Sequence, residues 1–518
     1  MQARALPAEP GRAQLRANMI ASVRERLMSH RDIGTDARRM TETIQPIVEE
    51  AALQPEAQPG LTAFARDAGI SVAEARRQWI RLQTADIMLE SGGDPDAVSS
   101  SAAVGAAQWL AGTARGVGLP VDLPASTVLS ARITRLRCRI AWIRYLGRPD
   151  ANRAAPGAAA FPPEGTQALP LLEAQLESLR EARRRVDARY DPRRAIFAQT
   201  RYLMRIYRRF PSPDWLFQAY HGGEAGVTKT LRLYEGSHWT GSAEAAIRTG
   251  AGGSRLTFDT LYFTTSPTSH VEAFSYLFSR SDDHRHYWYK LLAADQTLDA
   301  YRKSPEAFHA AWQTHLPGRR IEAYWYPDAA SGGISSIQDL RGRRDLEPIT
   351  PGPGLQVRSA ADDPANAALY ARLAPGARGV LALVVGEYQM AGGNSDLTTG
   401  DLTLTQEYVD HARVLHPAKP APLPLFPPDP DAEATAGGGP PRRFDYHTTG
   451  LVFDILRPAD DPARKILEYT LDRMEAQGML AAIQAKDRGE RRFHVVPHPA
   501  YASVFAQIAA TIKPPAAK

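Results

Sequence analysis

The sequence predicts a multidomain chain: an α-helical domain followed by an α+β domain with a small antiparallel sheet. Three observations predict it. At 518 residues the chain exceeds what one ordinary core accommodates. Apolar residues recur at helical spacing from about residue 60 to 315. Near Leu316 the composition shifts, with frequent Gly and Pro and short apolar runs in place of helical stripes. A hydrophobic fraction of 43% against 23% charged residues is that of an ordinary soluble globular protein. Eighteen consecutive apolar residues occur nowhere, so no integral membrane segment is expected. The net charge of +5 favours an anionic polymer as partner, yet Arg is scattered rather than clustered with aromatics, which argues against nucleic acid. Cys138, the only cysteine, rules out an intrachain disulfide and a multi-thiolate metal site, and its apolar helical surroundings mark it as a core residue.

Residues 1–59 read as a polar helical segment. Ser71-Val72-Ala73-Glu74 is a capping box that opens a helix, on which Ala75, Trp79, Leu82, Ala85 and Leu89 share a face. Gly92-Gly93 ends that helix and leaves Glu90 in its last turn. Leu129, Ile133, Leu136, Ile140 and Ile143 form a four-three repeat. Leu172, Leu176 and Leu179 begin a matching stripe after the Ala/Pro/Gly-rich stretch 154–163. The two stripes predict an antiparallel helical hairpin, inserted at about 121–188, read as a packing element that widens one wall of the cleft, with a partner-binding arm as the alternative. Asp191-Pro192 is an N-cap followed by Pro at the first helical position, and Ile196, Leu203, Ile206 and Phe210 supply the buried stripe. Amphipathic segments over 256–308 complete the helical domain of residues 60–315.

Within 316–518, Leu355-Gln356-Val357 and the run 380–385 read as strands, and a Pro-rich loop covers 416–443. Residues 451–455 read as a further strand. Asp461-Pro462 opens a helix that Gly478 closes, and 480–484 pairs with 492–496 across Asp487-Arg488-Gly489.

One constellation carries chemistry. Glu90-Ser91-Gly92-Gly93-Asp94-Pro95-Asp96 is followed by Gly105-Ala106-Ala107-Gln108 and Gly112-Thr113-Ala114. Downstream, Asp191-Pro192, Tyr202-Leu203 and Ala219-Tyr220-His221-Gly222-Gly223 occur in that order. Together these resemble the catalytic segments of lytic transglycosylases related to goose-type lysozyme, which implies a lysozyme-like fold over 60–315 and peptidoglycan as substrate. The resemblance implies that Glu90 protonates the β-1,4 oxygen between N-acetylmuramic acid and N-acetylglucosamine. As a carboxylate it then activates the muramoyl C6 hydroxyl, leaving a 1,6-anhydro end, so one carboxyl suffices where glycosidases use two. Apolar surroundings keep the proton on such an acid. By resemblance Ser91, Gln108, Tyr220 and His221 line the substrate cleft and Tyr220 orients the Glu90 carboxyl. Three positions depart from the pattern: Ala106-Ala107 replaces a bulkier pair, Trp109 follows Gln108, and His221 stands where Asn is usual. Asp94 and Asp96 read as turn residues. The implied location is the periplasm or cell envelope, although the first forty residues contain no apolar signal core.

A second constellation is His447-Thr448-Thr449-Gly450-Leu451-Val452-Phe453-Asp454 with Phe493-His494. It resembles the signature of zinc D-alanyl-D-alanine metallopeptidases, which implies zinc on His447, Asp454 and His494 and a water that attacks a peptide carbonyl. Asp445 replaces the usual Ser, and Arg491 stands where the base Glu is expected, so Glu490 is the candidate base and Arg358 a candidate grip for a substrate carboxylate. Three readings of the whole remain open: a bifunctional glycan and peptide cleaver, a transglycosylase with a peptide-binding C-terminal domain, and a catalytically silent wall-binding scaffold.

Overall fold

Glu90 owes its place to how its helix starts and stops. In the computed structural model, the described residues are 10–28, 32–148, 165–250, 253–315, 321–360, 362–415, 445–487 and 489–511. The stretch 154–163, the Pro-rich tract 416–443 and Arg488 lie outside them. Ser71 accepts the Glu74 N–H at 3.1 Å and opens α5 (Val72–Ser91). The capping box is one-sided, because the Glu74 carboxylate turns outward to Arg77 and Gln78. Gly92 stops α5 in the left-handed region at φ 61°, which glycine adopts without strain.

Before α5 come α1 (Arg12–Met28), α2 (Ile33–Arg39), α3 (Gln45–Leu53) and α4 (Gln58–Ala68). Their Met19, Val48 and Leu61 share one core with Trp79 of α5 and with residues from later helices. A short α6 (Ala111–Gly116) follows. Next come α7 (Leu123–Leu146) and α8 (Leu169–Val186), the expected hairpin. Ile133, Leu136, Ile140 and Ile143 close a seam on Leu172, Leu176 and Leu179, each burial contributing about 1.5–3 kcal/mol. Cys138 is buried.

Asp191 accepts the Arg194 N–H and starts α9 (Pro192–Tyr207), with Ile196, Leu203 and Ile206 inward. Then come α10 (Pro213–Gly222), α11 (Glu224–Glu235), α12 (Ala243–Thr249), α13 (Phe258–Thr264) and α14 (Val271–Leu277). The long α15 (Asp282–Lys303) packs against both α1 and α5, and α16 (Pro305–His315) closes the helical part.

The C-terminal region adds α17 (Ile321–Trp325), α18 (Ile337–Gly342), α19 (Ala367–Tyr370), α20 (Pro375–Met390) and α21 (Gln406–Leu415). Two minimal sheets join β1 (Glu347–Pro348) to β3 (Arg372–Leu373) and β2 (Leu355–Gln356) to β4 (Leu397–Thr398). The main antiparallel sheet has β7 (Glu490–Pro497) between β5 (Phe453–Leu456) and β6 (Leu480–Asp487). Between β5 and β6 runs the helix Asp461–Ala476, capped by Asp460, one residue earlier than expected. The run 380–385, expected as a strand, is helical and lies inside α20. Pro375 opens that helix, and Ala377, Val380, Leu381, Val384 and Tyr388 fall on its buried face. A short apolar run has no period of its own to tell strand from helix, and packing decided it.

The two parts are joined by polar ties as well as apolar ones. Arg285 of α15 is buried against Glu468 and Asp472 of the helix Asp461–Ala476. From α1, Ser22 bonds Glu475 at 2.6 Å and Arg26 reaches the Ala482 carbonyl of β6. Among the described residues no helix is long and apolar enough to cross a membrane.

Candidate active site and metal centre

The end of α5 meets a loop that only a particular backbone permits. Gly105 has φ 80°, and a Cβ there would stand 2.0 Å from the Arg189 carbonyl oxygen, so a side chain cannot fit. Arg189 is buried against Asp187 at 2.8 Å and also donates to the Trp109 carbonyl, while the Trp109 indole N–H bonds Ala195 O at 3.1 Å. Gln108 is forced to φ 47°, a left-handed conformation that costs a non-glycine residue of order 1 kcal/mol or more. Asp94 accepts the Asp96 N–H as a turn residue. Asp96 is pinned by Arg180 and Arg183 of α8, so the hairpin braces this loop.

Behind the loop lies a cleft of about 970 Å³. Glu90, Gln108, Tyr220, His221 and Tyr287 line it from the helical part, and residues 482–484 of β6 line it from the sheet. Four of the five expected residues, Glu90, Gln108, Tyr220 and His221, therefore converge. Ser91 does not take a cleft position. Its hydroxyl donates to Ala106 O at 2.7 Å and accepts the Gly93 N–H, tying α5 to the Gly105 loop. The expected partnership of Tyr220 with Glu90 is also corrected, since the Tyr220 hydroxyl donates to Ala107 O at 2.7 Å.

The phenol that holds Glu90 belongs to Tyr287 of α15. Its hydroxyl lies 2.8 Å from Glu90 Oε1 and 2.6 Å from Asp86 Oδ1. Asp86, one helical turn before Glu90, is fully buried, and Gln199 donates to its other oxygen at 2.8 Å. Burial, reinforced by the charge of Glu90, pushes the Asp86 carboxyl well above the usual carboxylate range. His221 stacks on Tyr287 at 3.9 Å, places Nδ1 3.1 Å from Glu90 Oε1 and Nε2 3.1 Å from Asp283 Oδ2. Burial pulls the imidazole pKa down, but hydrogen bonds to Asp283 and Glu90 outweigh burial and lift it to about 9. The hydrogen bond from His221, helped by Lys290 and opposed by burial, holds Asp283 well below the ordinary carboxylate range. The Glu90 side chain is 15% exposed, dry behind and open in front.

The second constellation assembles in the sheet. Asp454 of β5 is directly opposite His494 of β7, so their side chains share a face. The turn before β5 brings His447 over them, with Gly450 at φ 71°. One ligand atom from each of His447, Asp454 and His494 lies within 4.8 Å of the others, and all three residues are buried. His494 Nδ1 is 2.8 Å and His447 Nε2 3.1 Å from Asp454 Oδ1. Each imidazole has a carboxylate on its far nitrogen: Asp445 at 2.8 Å from His447 Nδ1, and Glu322 of α17 at 2.8 Å from His494 Nε2. Arg492 fixes the other Asp454 oxygen at 2.7 Å. Two imidazoles and a carboxylate, each imidazole braced by an acid, fit a small divalent cation such as zinc. Bound, such a cation supplies charge and Lewis acidity. The enclosure departs from a catalytic centre, which keeps one position open. Glu490 is not at the cluster. It sits four residues along β7, about 13 Å away by strand rise, in a bidentate pair with Arg358 that occupies both the candidate base and the candidate carboxylate grip.

Tyr287, Asp86, Asp283 and Glu322 were missed by sequence reasoning. Asp86 did leave a signal, a carboxylate at i−4 from Glu90 on the apolar face of α5. The others come from elements far away in sequence. No family model, curated protein or solved structure matches the chain.

Proposed function

We propose that the cleft cleaves the glycan of peptidoglycan as a lytic transglycosylase, with Glu90 as the acid that protonates the β-1,4 bridge and then the base that takes the C6 hydroxyl proton. The observation that carries this reading is the Glu90 carboxyl lining a cleft of about 970 Å³, held by the Tyr287 phenol. Gln108 and Tyr220 sit beside it, where a sugar ring would lie. His221, in place of the usual Asn, gives the carboxyl a neighbour whose own charge changes with pH. The periplasm or cell envelope is the location this substrate requires.

For the C-terminal region we infer a bound zinc ion held by His447, Asp454 and His494. The burial of the cluster under α17 and the distance of Glu490 favour a stabilising cation over a peptidase centre. With that role, the sheet contributes residues 482–484 to the glycan cleft rather than a second activity.

The test is digestion of purified peptidoglycan by wild type and Glu90→Gln, with and without a chelator. Soluble glycan released by wild type alone, unaffected by the chelator, supports the glycan reading, and zinc found on the purified chain by elemental analysis supports the bound cation. Equal release by both proteins removes Glu90 from the chemistry, and release that stops with the chelator makes the metal site catalytic. No release from either protein returns the chain to the scaffold reading.

A further inference from the structure

The Tyr287 hydroxyl has one proton and two carboxyl oxygens within hydrogen-bond distance, Asp86 Oδ1 at 2.6 Å and Glu90 Oε1 at 2.8 Å. With neutral Tyr287 it can donate to only one of them. The other contact is a hydrogen bond only if that carboxyl carries a proton and donates it to the phenol oxygen. Burial decides where this proton rests. Asp86 has no exposed surface, and its side chain hydrogen-bonds the neutral Tyr287 and Gln199. Glu90 faces the cleft and the His221 ring. A buried charge with no cation hydrogen-bonded to it is the costlier of the two, since His221 bonds Glu90 and not Asp86, so the resting proton belongs on Asp86.

We propose that Asp86 and Glu90 hold one proton between them across the Tyr287 hydroxyl, and that Asp86 is the positioning residue that stores the proton Glu90 delivers. The proposal rests on the glycan-cleaving reading of Glu90. In the loading step, Asp86 gives its proton to the phenol oxygen while the phenol gives its own to Glu90. Tyr287 ends as it began, Asp86 becomes the carboxylate and Glu90 the acid. Glu90 then protonates the glycosidic oxygen as the C1–O bond breaks and its electron pair leaves with that oxygen. The Glu90 carboxylate takes the C6 hydroxyl proton as the C6 oxygen bonds to C1, and the reverse relay returns the proton to Asp86. The groups that face this pair are Gln199 of α9, Tyr220 and His221 of α10, and Tyr287 of α15. Asp283 and Lys290 act on it through His221.

Two measurements on the full chain test it. Infrared spectroscopy at neutral pH is expected to find a protonated carboxyl in wild type that persists in Glu90→Gln and is absent from Asp86→Asn. A band unchanged in Asp86→Asn overturns the proposal. On soluble glycan fragments, Asp86→Asn and Tyr287→Phe are expected to lower kcat by roughly tenfold or more with KM unchanged. The alkaline limb of the Asp86→Asn profile is expected at lower pH, because Glu90 alone must keep the proton. A wild-type pH profile in both variants contradicts the relay. Should wild type show the band but release no glycan, the enzymatic reading fails while the shared proton stands.

Discussion

The Glu90 cleft and the His447 cluster use the same materials to opposite ends. Each sets imidazole against carboxylate at about 3 Å, and each braces its central group from behind. In the helical part the bracing groups, Tyr287 and Asp86, are buried while Glu90 faces a cleft of about 970 Å³. At the cluster on the sheet, His447, Asp454, His494 and the Glu322 of α17 are all enclosed. A proton can be handed to a substrate only where one face is open, whereas a cation is held best where every face is closed. The difference in enclosure, more than the residue types, is why we propose chemistry for the cleft and support for the cluster.

Mutations that touch one site alone should divide along this line. The largest effect is expected from Glu90→Gln, which should lower glycan release by about 10²–10⁴-fold and leave the zinc content, measured by elemental analysis, at the wild-type value. Loss of zinc in that variant would break the separation. Asp454→Ala should cost about 3–5 kcal/mol in chemical denaturation, because it removes the buried carboxylate that Arg492 and two imidazoles share and leaves each with a single acidic partner, and added zinc should no longer raise its Tm. Next in size, Gly105→Ala should destabilise by about 1–3 kcal/mol and lower activity together, since the new Cβ meets the Arg189 carbonyl at 2.0 Å. An unchanged melting curve would mean that the loop is not clamped as described.

A further effect concerns pH. His221 has a folded pKa of about 9, above the ordinary value near 6.5, so its contribution to stability is full below about 6.5 and is lost as pH rises through about 9. Stability of wild type should therefore slope down across that window, and His221→Asn should flatten the slope. A slope that persists in His221→Asn would assign it to other groups.

Much of this was legible in the chain because local rules and packing agreed. The α7–α8 seam follows from its four-three repeat, the end of α5 from Gly92-Gly93, and the sheet from a hairpin whose register aligns Ala481 with Val496. The run 380–385 misled because six apolar residues satisfy a strand and a helix alike. At the site, Glu90 was visible as a helix-end acid ahead of a glycine-rich loop. Its phenol partner was not, since α15 reaches α5 only through tertiary packing and Tyr287 lies 197 positions away. Glu322 was hidden for the same reason, on a five-residue helix that carries no motif. Tyr220 lines the cleft as the resemblance implies and Ser91 does not, and hydrogen bonds to Ala106 and Ala107 turn both hydroxyls toward the loop backbone.

The central claim, that Glu90 drives internal attack by the sugar, is tested most directly by digesting peptidoglycan in water enriched in heavy oxygen and weighing the released ends. Attack by the C6 hydroxyl admits no solvent oxygen, so the expected products are unlabelled 1,6-anhydro ends from wild type and none from Glu90→Gln. Reducing ends that carry one heavy oxygen would contradict the account. They would point instead to a water activated by the carboxylate of Asp283 on the far side of His221.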